Sequence, residues 1–449
     1  MFNCSIFSIV SLLLYFTNFP SLSMTKQDKE TELNPRTTKF EFGGFPGSLV
    51  LTLFLPVFTV LINKQLTPDA TFSTDPWYYL NPCRSKGLWI PYLAWFTGLA
   101  VFDVILPGKS MFGTVLRDGS KLKYKINGIS NSFLLILVLG LRWQITEGQM
   151  PELVYLYEHH IELNIISILF AFYLATYCYA RSFIYINKEP ILALGGNSGN
   201  FVYDWFIGRE LNPRLGCFDI KLFCELRPGM LLWLLINLSC LHHNYVVENN
   251  FAGVNDALIL INLLQGFYIF DGVLNEEGLL TMMDIATDGF GFMLAFGDLT
   301  FVPFTYSLQA RFLSIQPNDL GPQRLALITA LMALGYYIFH SANKQKSDFK
   351  QGKLPDLKSI QTKRGTKLLC DSWWGMSQHI NYFGDWLISL SWCLTTWFAT
   401  PLTYYYSVYF AILLLHRQQR DEEKCSEKYG KDWVVYQKRV PYKIIPFVY

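Results

Sequence analysis

The chain contains repeated apolar segments, each long enough to cross a lipid bilayer as one α-helix. Roughly 20 apolar residues are needed to span the hydrocarbon core. Stretches of this length occur at 45–63, 88–106, 128–145, 161–180, 230–247, 256–274, 289–308 and 323–340. A further tract, 383–416, is too long for one span, and Pro401 divides it into a predicted hairpin of two helices. We therefore expect an all-α, polytopic integral membrane protein with about ten transmembrane helices.

The composition agrees with a membrane protein and argues against several other classes. Hydrophobic residues make up 51% of the chain and charged residues 16%, whereas soluble domains carry about 25% charged residues. The formal net charge of +2 is too small to indicate a nucleic-acid-binding protein. The nine cysteines are scattered and form no CxxC pair. We therefore expect reduced thiols, without a disulfide framework or a metal site.

The predicted membrane domain, 45–449, is flanked by an N-terminal region of two parts. Residues 1–23 are apolar and carry no Lys or Arg. A secretory signal normally begins with positive charge, so we interpret 1–23 as an extension that precedes a start at Met24, with a signal or extra anchor as the alternative. Residues 24–44 are predicted to be cytosolic or interfacial.

Positive charge near the C-terminus predicts the sidedness of the chain. Basic residues are concentrated in short cytosolic loops of membrane proteins. In 342–367 they outnumber the acids, and the tail 417–449 is also rich in base. Both segments are therefore expected to face the cytosol. The basic residues of the first segment are Lys344, Lys346, Lys350, Lys353, Lys358, Lys363, Arg364 and Lys367.

The run 265–309 concentrates acidic side chains within apolar sequence and contains no Lys, Arg or His. Ionisable residues in such positions are costly and often functional, so these acids need a partner from elsewhere, a proton or a wet cavity. Tyr268 precedes Asp271 by three residues and shares its helical face. For Glu276, Glu277 and Asp284, a solvated interfacial loop is an equally good interpretation. The acids of the run are Asp271, Glu276, Glu277, Asp284, Asp288 and Asp298.

The C-terminal region combines cations, aromatic rings and amides in a regular pattern. Four side chains recur every four residues on one helical face, namely Arg417, Asp421, Cys425 and Tyr429. Lys346 and Lys350 are also four residues apart, and Asn381 adds an amide. Cations suit phosphates and planar groups suit stacking, so about 340–449 is predicted to form a nucleotide-cofactor pocket at the cytosolic membrane face. A basic zone attracted to anionic lipid is the alternative.

Two strings resemble the signatures of a known enzyme family. GNFVYDWFIGRELNPR (199–214) and LLHRQQRDEEKCSEKYG (414–430) are similar to those of the sterol reductases that act on ring or side-chain double bonds. This family includes the sterol C-14, C-7 and C-24(28) reductases and the membrane domain of the lamin B receptor. FDIKLFCELRPGMLLWLLINLSCLHH and LSIQPNDLGPQ resemble the fungal C-14 branch in particular. The resemblance extends from about Leu33 to Tyr449.

The resemblance implies a multi-pass enzyme of the endoplasmic reticulum membrane that uses NADPH to reduce a sterol double bond, C14=C15, in ergosterol biosynthesis. Its partners would be a sterol and membrane lipid, without nucleic acid or metal, and the sequence indicates no protein partner. Relatives often carry Arg where this chain has Lys350, and a Lys lacks the bidentate fork for phosphate. The catalytic residues would be Tyr268, Asp271, Glu276, Asp421 and Tyr429. The cofactor residues would be Lys346, Lys350, Leu369, Trp374, Asn381, Tyr382, Arg417, Asp421, Cys425 and Tyr429.

The chemistry of an isolated alkene sets the order of events in such an enzyme. The alkene is electron-rich, so a proton must add before a hydride can. For a C14=C15 bond the proton would go to C15 and the hydride to C14, in a dry pocket that stabilises the intervening cation. The remaining alternatives are a C-7 or C-24(28) reductase, an isoprenylcysteine-type membrane methyltransferase with a similar C-terminal helix and tail, and a non-catalytic sterol-binding protein.

Overall fold

The computed structural model describes residues 32–67, 73, 75–185 and 189–449, which leaves 1–23 and the first part of 24–44 outside the described residues. Among the described residues, helices long and apolar enough to cross a membrane are Gly44–Lys64, Lys86–Ile105, Gly128–Ile145, His160–Arg181, Ile220–Glu248, Asp256–Leu274 and Gly321–Lys350. These seven coincide with predicted spans and confirm an all-α, polytopic membrane protein. The eight cysteines in the described part of the chain are free thiols.

The chain forms two compact units, which we call the N-terminal unit (up to Pro317) and the C-terminal unit (Asn318–Tyr449). The α-helices of the N-terminal unit are α1 Gly44–Lys64, α2 Pro76–Leu80, α3 Lys86–Ile105, α4 Gly128–Ile145, α5 Pro151–Glu158, α6 His160–Arg181, α7 Phe201–Ile207, α8 Ile220–Leu226, α9 Pro228–His242, α10 Asp256–Leu274, α11 Met283–Ala286, α12 Phe292–Phe296, α13 Val302–Thr305 and α14 Leu308–Ile315. Those of the C-terminal unit are α15 Gly321–Lys350, α16 Trp373–Met376, α17 Ile380–Leu394, α18 Tyr405–Tyr429 and α19 Lys431–Arg439.

Short strands and irregular helical turns connect these helices. Antiparallel pairs are formed by β1 Lys109–Val115 with β2 Lys121–Ile126, β3 Arg214–Leu215 with β4 Phe218–Asp219, and β5 Ser359–Gln361 with β6 Lys367–Leu369. The 3₁₀ turns are Asn81–Arg84, Glu276–Thr281 and Leu402–Tyr404. The π-helical turns are His243–Glu248 and Gly297–Phe301.

Three predicted spans are helical but are not continuous apolar helices of spanning length. In 289–308, a π-helical turn separates α12 from α13, and Pro303 lies at the start of α13, where it can give no backbone N–H. The predicted hairpin 383–416 is matched by α17 and α18, with Pro401 in the connection between them. Helix α17 has 15 residues, fewer than the roughly 20 that span a bilayer, and α18 ends in charged sequence.

Helices α15 and α17 pack backbone against backbone in the C-terminal unit. A Cβ added to Gly384 would lie 2.6 Å from the backbone nitrogen of Phe339, and one added to Gly335 would lie 2.7 Å from the Gly384 carbonyl oxygen. Either distance is shorter than a van der Waals contact, so each glycine permits the close approach of the other helix. The buried side chains beside this crossing are Ile338, Ala342, Ile380 and Leu387.

We expect Gly384→Ala to lower the free energy of unfolding by about 1–3 kcal/mol, because the new methyl group overlaps backbone that cannot rotate away. The measurement is thermal unfolding of the purified protein in detergent. Gly140→Ala on α4 is the matched control, since nothing lies within 4 Å of its added Cβ, and Ala favours helix over Gly. Equal melting temperatures for the two variants would contradict the close packing of α15 and α17.

Candidate functional site

The candidate site lies in the C-terminal unit and contains a lysine whose ammonium group is held over an aromatic ring. Lys346 lies near the end of α15, and its Nζ is 3.7 Å from the centroid of the Trp374 ring. Trp374 is buried, and its indole Nε1 donates a hydrogen bond to the carbonyl oxygen of Ala342 at 2.9 Å. This bond joins α16 to α15 and fixes the ring. The cation–π contact then holds the ammonium group in one place.

Helices α17 and α18 contribute a second polar pair beside Lys346. The Tyr382 hydroxyl donates a hydrogen bond to Asp421 Oδ2 at 3.0 Å, and Arg417 is a further hydrogen-bonding neighbour of Tyr382. Asp421 also interacts electrostatically with Lys346. Because Arg417 and Asp421 are four residues apart on α18, both reach the same neighbours. Predicted residues from three helices therefore form one polar cluster.

Two amides next to this cluster leave polar atoms without protein partners. Asn381 Nδ2 donates a hydrogen bond to Asn343 Oδ1 at 3.2 Å. Among the described residues, the buried Oδ1 of Asn381 and Nδ2 of Asn343 have no hydrogen-bond partner. Buried polar atoms are nearly always satisfied, so one acceptor and one donor remain for a ligand. Asn343 was not predicted, although its position three residues before Lys346 is a signal for the same face of α15.

The charged, hydrogen-bonding and aromatic groups of the cluster fit a nicotinamide dinucleotide. Such a cofactor carries phosphates, which suit the cations of Lys346 and Arg417. It also carries a carboxamide, whose donor and acceptor match the unsatisfied amide atoms of Asn343 and Asn381. The half-buried ring of Tyr382 is a planar surface of the kind on which a base or nicotinamide can stack.

His379 is a member of the cluster that the sequence did not predict. Its ring stacks on that of Tyr382, with centroids 4.8 Å apart and an interplanar angle of 14°. Burial lowers the pKa of His379 to about 4, so the imidazole is neutral at pH 7. His379 therefore adds a flat aromatic surface and no positive charge. Its place in the string HINYFGDW, two residues before Asn381, was the available signal.

The other predicted cofactor residues surround the cluster in different ways. Leu369 is a buried residue of β6, and Lys350 is exposed at the end of α15. Cys425 and Tyr429 pack against a small core of Cys370, Trp433, Tyr436 and Val440. Burial and the nearby Asp421 raise the pKa of the Cys425 thiol, which is therefore a neutral packing group.

Glu422, the neighbour of Asp421, holds the C-terminal segment against α18. Its carboxylate accepts hydrogen bonds from Gln418 Nε2 at 2.7 Å, Gln437 Nε2 at 2.8 Å and Lys443 Nζ at 2.8 Å. Burial opposes the charged form, but the hydrogen bonds from Lys443 and Gln418 outweigh it and lower the pKa of Glu422. Adjacent acids on one helix point in different directions. Asp421 therefore joins the cluster, while Glu422 anchors the tail.

In the N-terminal unit, two acids of the run 265–309, Glu276 and Glu277, obtain partners from outside the run. Glu276 is 1% exposed, forms an ion pair with Arg227 at 2.7 Å and accepts the backbone N–H of Gly128 at 2.7 Å. Glu277 pairs with Lys109 at the surface, at 2.6 Å. The solvated-loop interpretation therefore holds for Glu277 and is wrong for Glu276, which is buried. The solvated-loop interpretation is also wrong for Asp284, which is 1% exposed.

The predicted catalytic residues are divided between the two units. Tyr268 is buried on α10, with its ring centroid 6.5 Å from that of Trp233. Asp271, one turn later, is half-buried and accepts a hydrogen bond from Asn275 Nδ2 at 3.1 Å. Together with Glu276 they belong to the N-terminal unit. Asp421 and Tyr429 belong to α18 of the C-terminal unit.

Comparison with known proteins identifies the family. The chain matches the sequence profile of the Ergosterol biosynthesis ERG4/ERG24 family over residues 36–449. The chain belongs to the ERG4/ERG24 family. It is 65% identical over 437 residues to "Delta(14)-sterol reductase ERG24" of Saccharomyces cerevisiae, which covers 93% of this chain and 99% of that relative. The resemblance inferred from the two strings is therefore confirmed.

Two further relatives show the breadth of the ERG4/ERG24 family. "Delta(14)-sterol reductase ERG24" of Candida albicans is 57% identical over 452 residues, covering 94% of this chain and 100% of the relative. "Delta(14)-sterol reductase LBR" of Gallus gallus is 42% identical over 416 residues, covering 91% of this chain and 64% of the relative. The match to the chicken protein thus leaves more than a third of that relative unaligned.

The string 199–214, one of the two that carried the resemblance to the ERG4/ERG24 family, forms a structural connection. The glycine-rich loop 195–200 overlaps the start of this string, and two of its backbone N–H groups bind the Asp204 carboxylate. Ser198 N donates to Oδ1 at 2.8 Å and Gly199 N donates to Oδ2 at 3.0 Å. At the far end, Glu210 forms an ion pair with Arg181 at 2.7 Å. The backbone amides of this loop are therefore used by the protein's own acid.

Arg227 provides a test of the buried charges in this ERG4/ERG24 member. Its guanidinium also pairs with Asp103 at 2.9 Å, so Arg227→Ala would leave two carboxylates without their cation. We expect a loss of about 3–5 kcal/mol in the free energy of unfolding, measured by thermal or denaturant unfolding in detergent. Lys109→Ala breaks an exposed pair and should cost no more than about 1 kcal/mol. Similar losses for both variants would contradict this distinction.

Proposed function

We propose that this chain is a Δ14-sterol reductase of ergosterol biosynthesis, an oxidoreductase that acts on a CH–CH group of a sterol within a membrane. The observation that carries the proposal is 65% identity to a relative named Delta(14)-sterol reductase, over 93% of the chain. Relatives from two other yeasts bear the same name and cover at least 92% of the chain. The apolar helices suit an enzyme whose substrate is dissolved in lipid.

The proposal includes NADPH as the cofactor, bound by the polar cluster of the C-terminal unit. When bound, NADPH supplies the hydride. Lys346 and Arg417 supply positive charge for its phosphates, and the amides of Asn343 and Asn381 supply a donor and an acceptor. Lys346 is fixed by its ring contact with Trp374, so little side-chain entropy would be lost when it binds an anion.

The remaining chemistry belongs to acids and aromatic rings of the chain. A proton must reach C15 before hydride can add at C14, so the site needs a proton source and a surface that stabilises a carbocation. Tyr268, Asp271, Asp421 and Tyr429 are the proposed candidates for these roles, and an aromatic face such as that of Tyr268 can stabilise a nearby cation. Glu276 forms an ion pair with Arg227 and accepts a hydrogen bond from the backbone N–H of Gly128. A negative charge fixed in this way suits electrostatic support of the carbocation.

We also propose that the enzyme lies in the endoplasmic reticulum membrane with its C-terminal unit at the cytosolic face. The support is the excess of basic residues in 342–367 and in the tail, which the positive-inside rule assigns to the cytosol. That orientation would give the polar cluster direct access to a soluble dinucleotide.

The proposal is tested by expressing the chain in membranes of a yeast strain that lacks its own C-14 reductase. A Δ14 sterol is supplied with NADPH, and the product is followed by mass spectrometry. We expect a product heavier by one hydride and one proton, formed only when both protein and NADPH are present. Reduction of a C-7 or C-24(28) olefin alone would keep the reductase class and change the substrate. Methyl transfer from S-adenosylmethionine, without any reduction, would overturn the proposal.

A further inference from the structure

The hairpin of β1 and β2, which joins the membrane helices α3 and α4, packs on the N-terminal unit through one of its two faces. Successive side chains of a strand alternate between faces. On the inner face, Tyr124 of β2 is buried, and its hydroxyl accepts a hydrogen bond from Asn212 Nδ2 at 3.2 Å. The Arg214 guanidinium lies over the Tyr124 ring, 4.5 Å from the ring centroid. The inner face is therefore covered by the rest of the unit.

The outer face of the hairpin, formed by Phe112, Val115, Lys121 and Lys123, carries apolar and basic side chains next to each other. In the register of the two strands, Lys123 is the partner of Phe112, and Lys121 is the partner of Val115. Directly opposite residues of an antiparallel pair project from the same face. Phe112 is 65% exposed and Val115 is 62% exposed, and both lysines are exposed as well. Each lysine of the outer face thus lies beside an exposed apolar side chain.

The other basic side chains of the hairpin are bound by the protein itself. Lys109 pairs with Glu277, and Lys125 Nζ donates hydrogen bonds to two carbonyl oxygens near the end of α3, at 2.8 and 3.1 Å. Arg117 donates to the carbonyl oxygen of Leu192. Within the part of the chain that the structure describes, the two lysine side chains of the outer face form neither an ion pair nor a hydrogen bond. Their ammonium groups are therefore available to a ligand.

Short connections hold the hairpin at the membrane surface. Three residues connect α3 to β1, and one residue, Asn127, connects β2 to α4. Asn127 Nδ2 donates a hydrogen bond to the Asp103 carbonyl oxygen at 2.8 Å, which joins the adjoining ends of α3 and α4. Exposed apolar side chains continue along both helices from these ends, at Val104, Ile105, Ile129 and Phe133. The outer face is therefore continuous with the apolar, exposed surface of two membrane helices.

The charge of the hairpin indicates which side of the membrane it meets. Residues 107–127 contain five basic residues and one acid, Asp118. The positive-inside rule assigns such a short loop to the cytosol, where the leaflet contains anionic lipids and has a negative surface potential. Lysine stems can lie along apolar surface while their ammonium groups stay at the headgroups. Both the charge and the apolar character of the outer face match this leaflet.

We propose that the outer face is a binding surface for anionic phospholipid. The ammonium groups of Lys121 and Lys123 pair with the charged groups of the lipid headgroups, and Phe112 and Val115 enter the boundary between headgroups and acyl chains. Bound lipid thereby holds the hairpin, and with it the joined ends of α3 and α4, against the cytosolic leaflet. The surface uses no residue of the polar cluster in the C-terminal unit, so the proposal does not depend on the reaction that the enzyme catalyses.

The test uses the full-length chain in phosphatidylcholine vesicles that carry equal trace amounts of photoreactive phosphatidylserine and photoreactive phosphatidylcholine. After illumination, mass spectrometry of the peptides measures the ratio of the two lipids attached to residues 107–127. We expect phosphatidylserine to exceed phosphatidylcholine by about fivefold or more in wild type, the effect of about one lysine on one anionic headgroup. The ratio should fall close to one in the double variant K121Q/K123Q. It should also fall in 1 M salt, where the screening length is about 3 Å.

Lys86→Gln is the matched control, because Lys86 is an exposed lysine at the start of α3, the end of that helix opposite to the hairpin. This variant should keep the wild-type ratio. K121Q/K123Q changes only exposed side chains and should keep the wild-type melting temperature. Equal labelling by the two lipids in wild type, or an unchanged ratio in the double variant, would overturn the proposal. Amine-reactive cross-links between two copies of the chain through Lys121 or Lys123, in place of lipid labelling, would identify a second copy as the occupant and would also overturn it.

Discussion

Asp421→Asn is expected to lower kcat for sterol reduction by about 100-fold or more, without unfolding the protein. The substitution preserves size, and the new amide oxygen can still accept the hydrogen bond that Tyr382 now gives to the carboxylate at 3.0 Å. The negative charge next to Lys346 and Arg417 is lost, however, and an amide cannot act as a general acid or base at neutral pH. The measurement is NADPH-dependent turnover per folded enzyme, with thermal unfolding in parallel.

Glu423→Gln is the matched control for this prediction. Glu423 lies on the same helix and is exposed. Its replacement by Gln removes the same single negative charge from α18 as Asp421→Asn does, but at a position outside the polar cluster. We expect wild-type turnover in this variant. Full activity of D421N would remove Asp421 from the mechanism, and a large drop in its melting temperature would show that the residue acts through stability.

Lys346→Ala is expected to raise the KM for NADPH by about 10- to 100-fold, the equivalent of losing one hydrogen bond between charged groups. The reason is the position of Nζ, which is held 3.7 Å from the Trp374 ring centroid within the cluster of cations and amides. An ammonium group at this place can pair with the 2′-phosphate that distinguishes NADPH from NADH. The KM for NADH should therefore change much less.

The control is Lys344→Ala, an exposed lysine two positions earlier on the same helix. Lys344→Ala removes the same single positive charge from the segment as Lys346→Ala does. Because positions two apart on a helix point in different directions, this variant should bind both cofactors as wild type does. Equal effects of Lys346→Ala on NADPH and NADH would show that Lys346 does not contact the 2′-phosphate. Equal effects of both lysine variants would favour a general attraction to anionic lipid.

The predictions that depended on local sequence agree best with the structure. Seven spans were recognised from hydropathy. A helix that crosses the hydrocarbon core must be long and apolar in one continuous segment, and both properties can be read from the sequence. The alignment of Arg417 and Asp421 on one helix followed from the spacing of 3.6 residues per turn. In the predicted span 289–308, Asp298 and Pro303 interrupt the apolar sequence, and the structure has its break there, at Gly297–Phe301. The π-helical form of that break was not predicted from the sequence.

The partners of individual side chains were decided by the tertiary structure alone. The sequence showed that the acids of 265–309 lacked internal bases, and only the fold assigns Arg227 to Glu276 and Lys109 to Glu277. The pairing of Asn343 with Asn381 joins residues from different helices and could not be read from either segment. Hydropathy and helical periodicity are properties of neighbours in the chain, whereas charge pairing and hydrogen bonding depend on which helices meet, and that is set by packing across the whole unit.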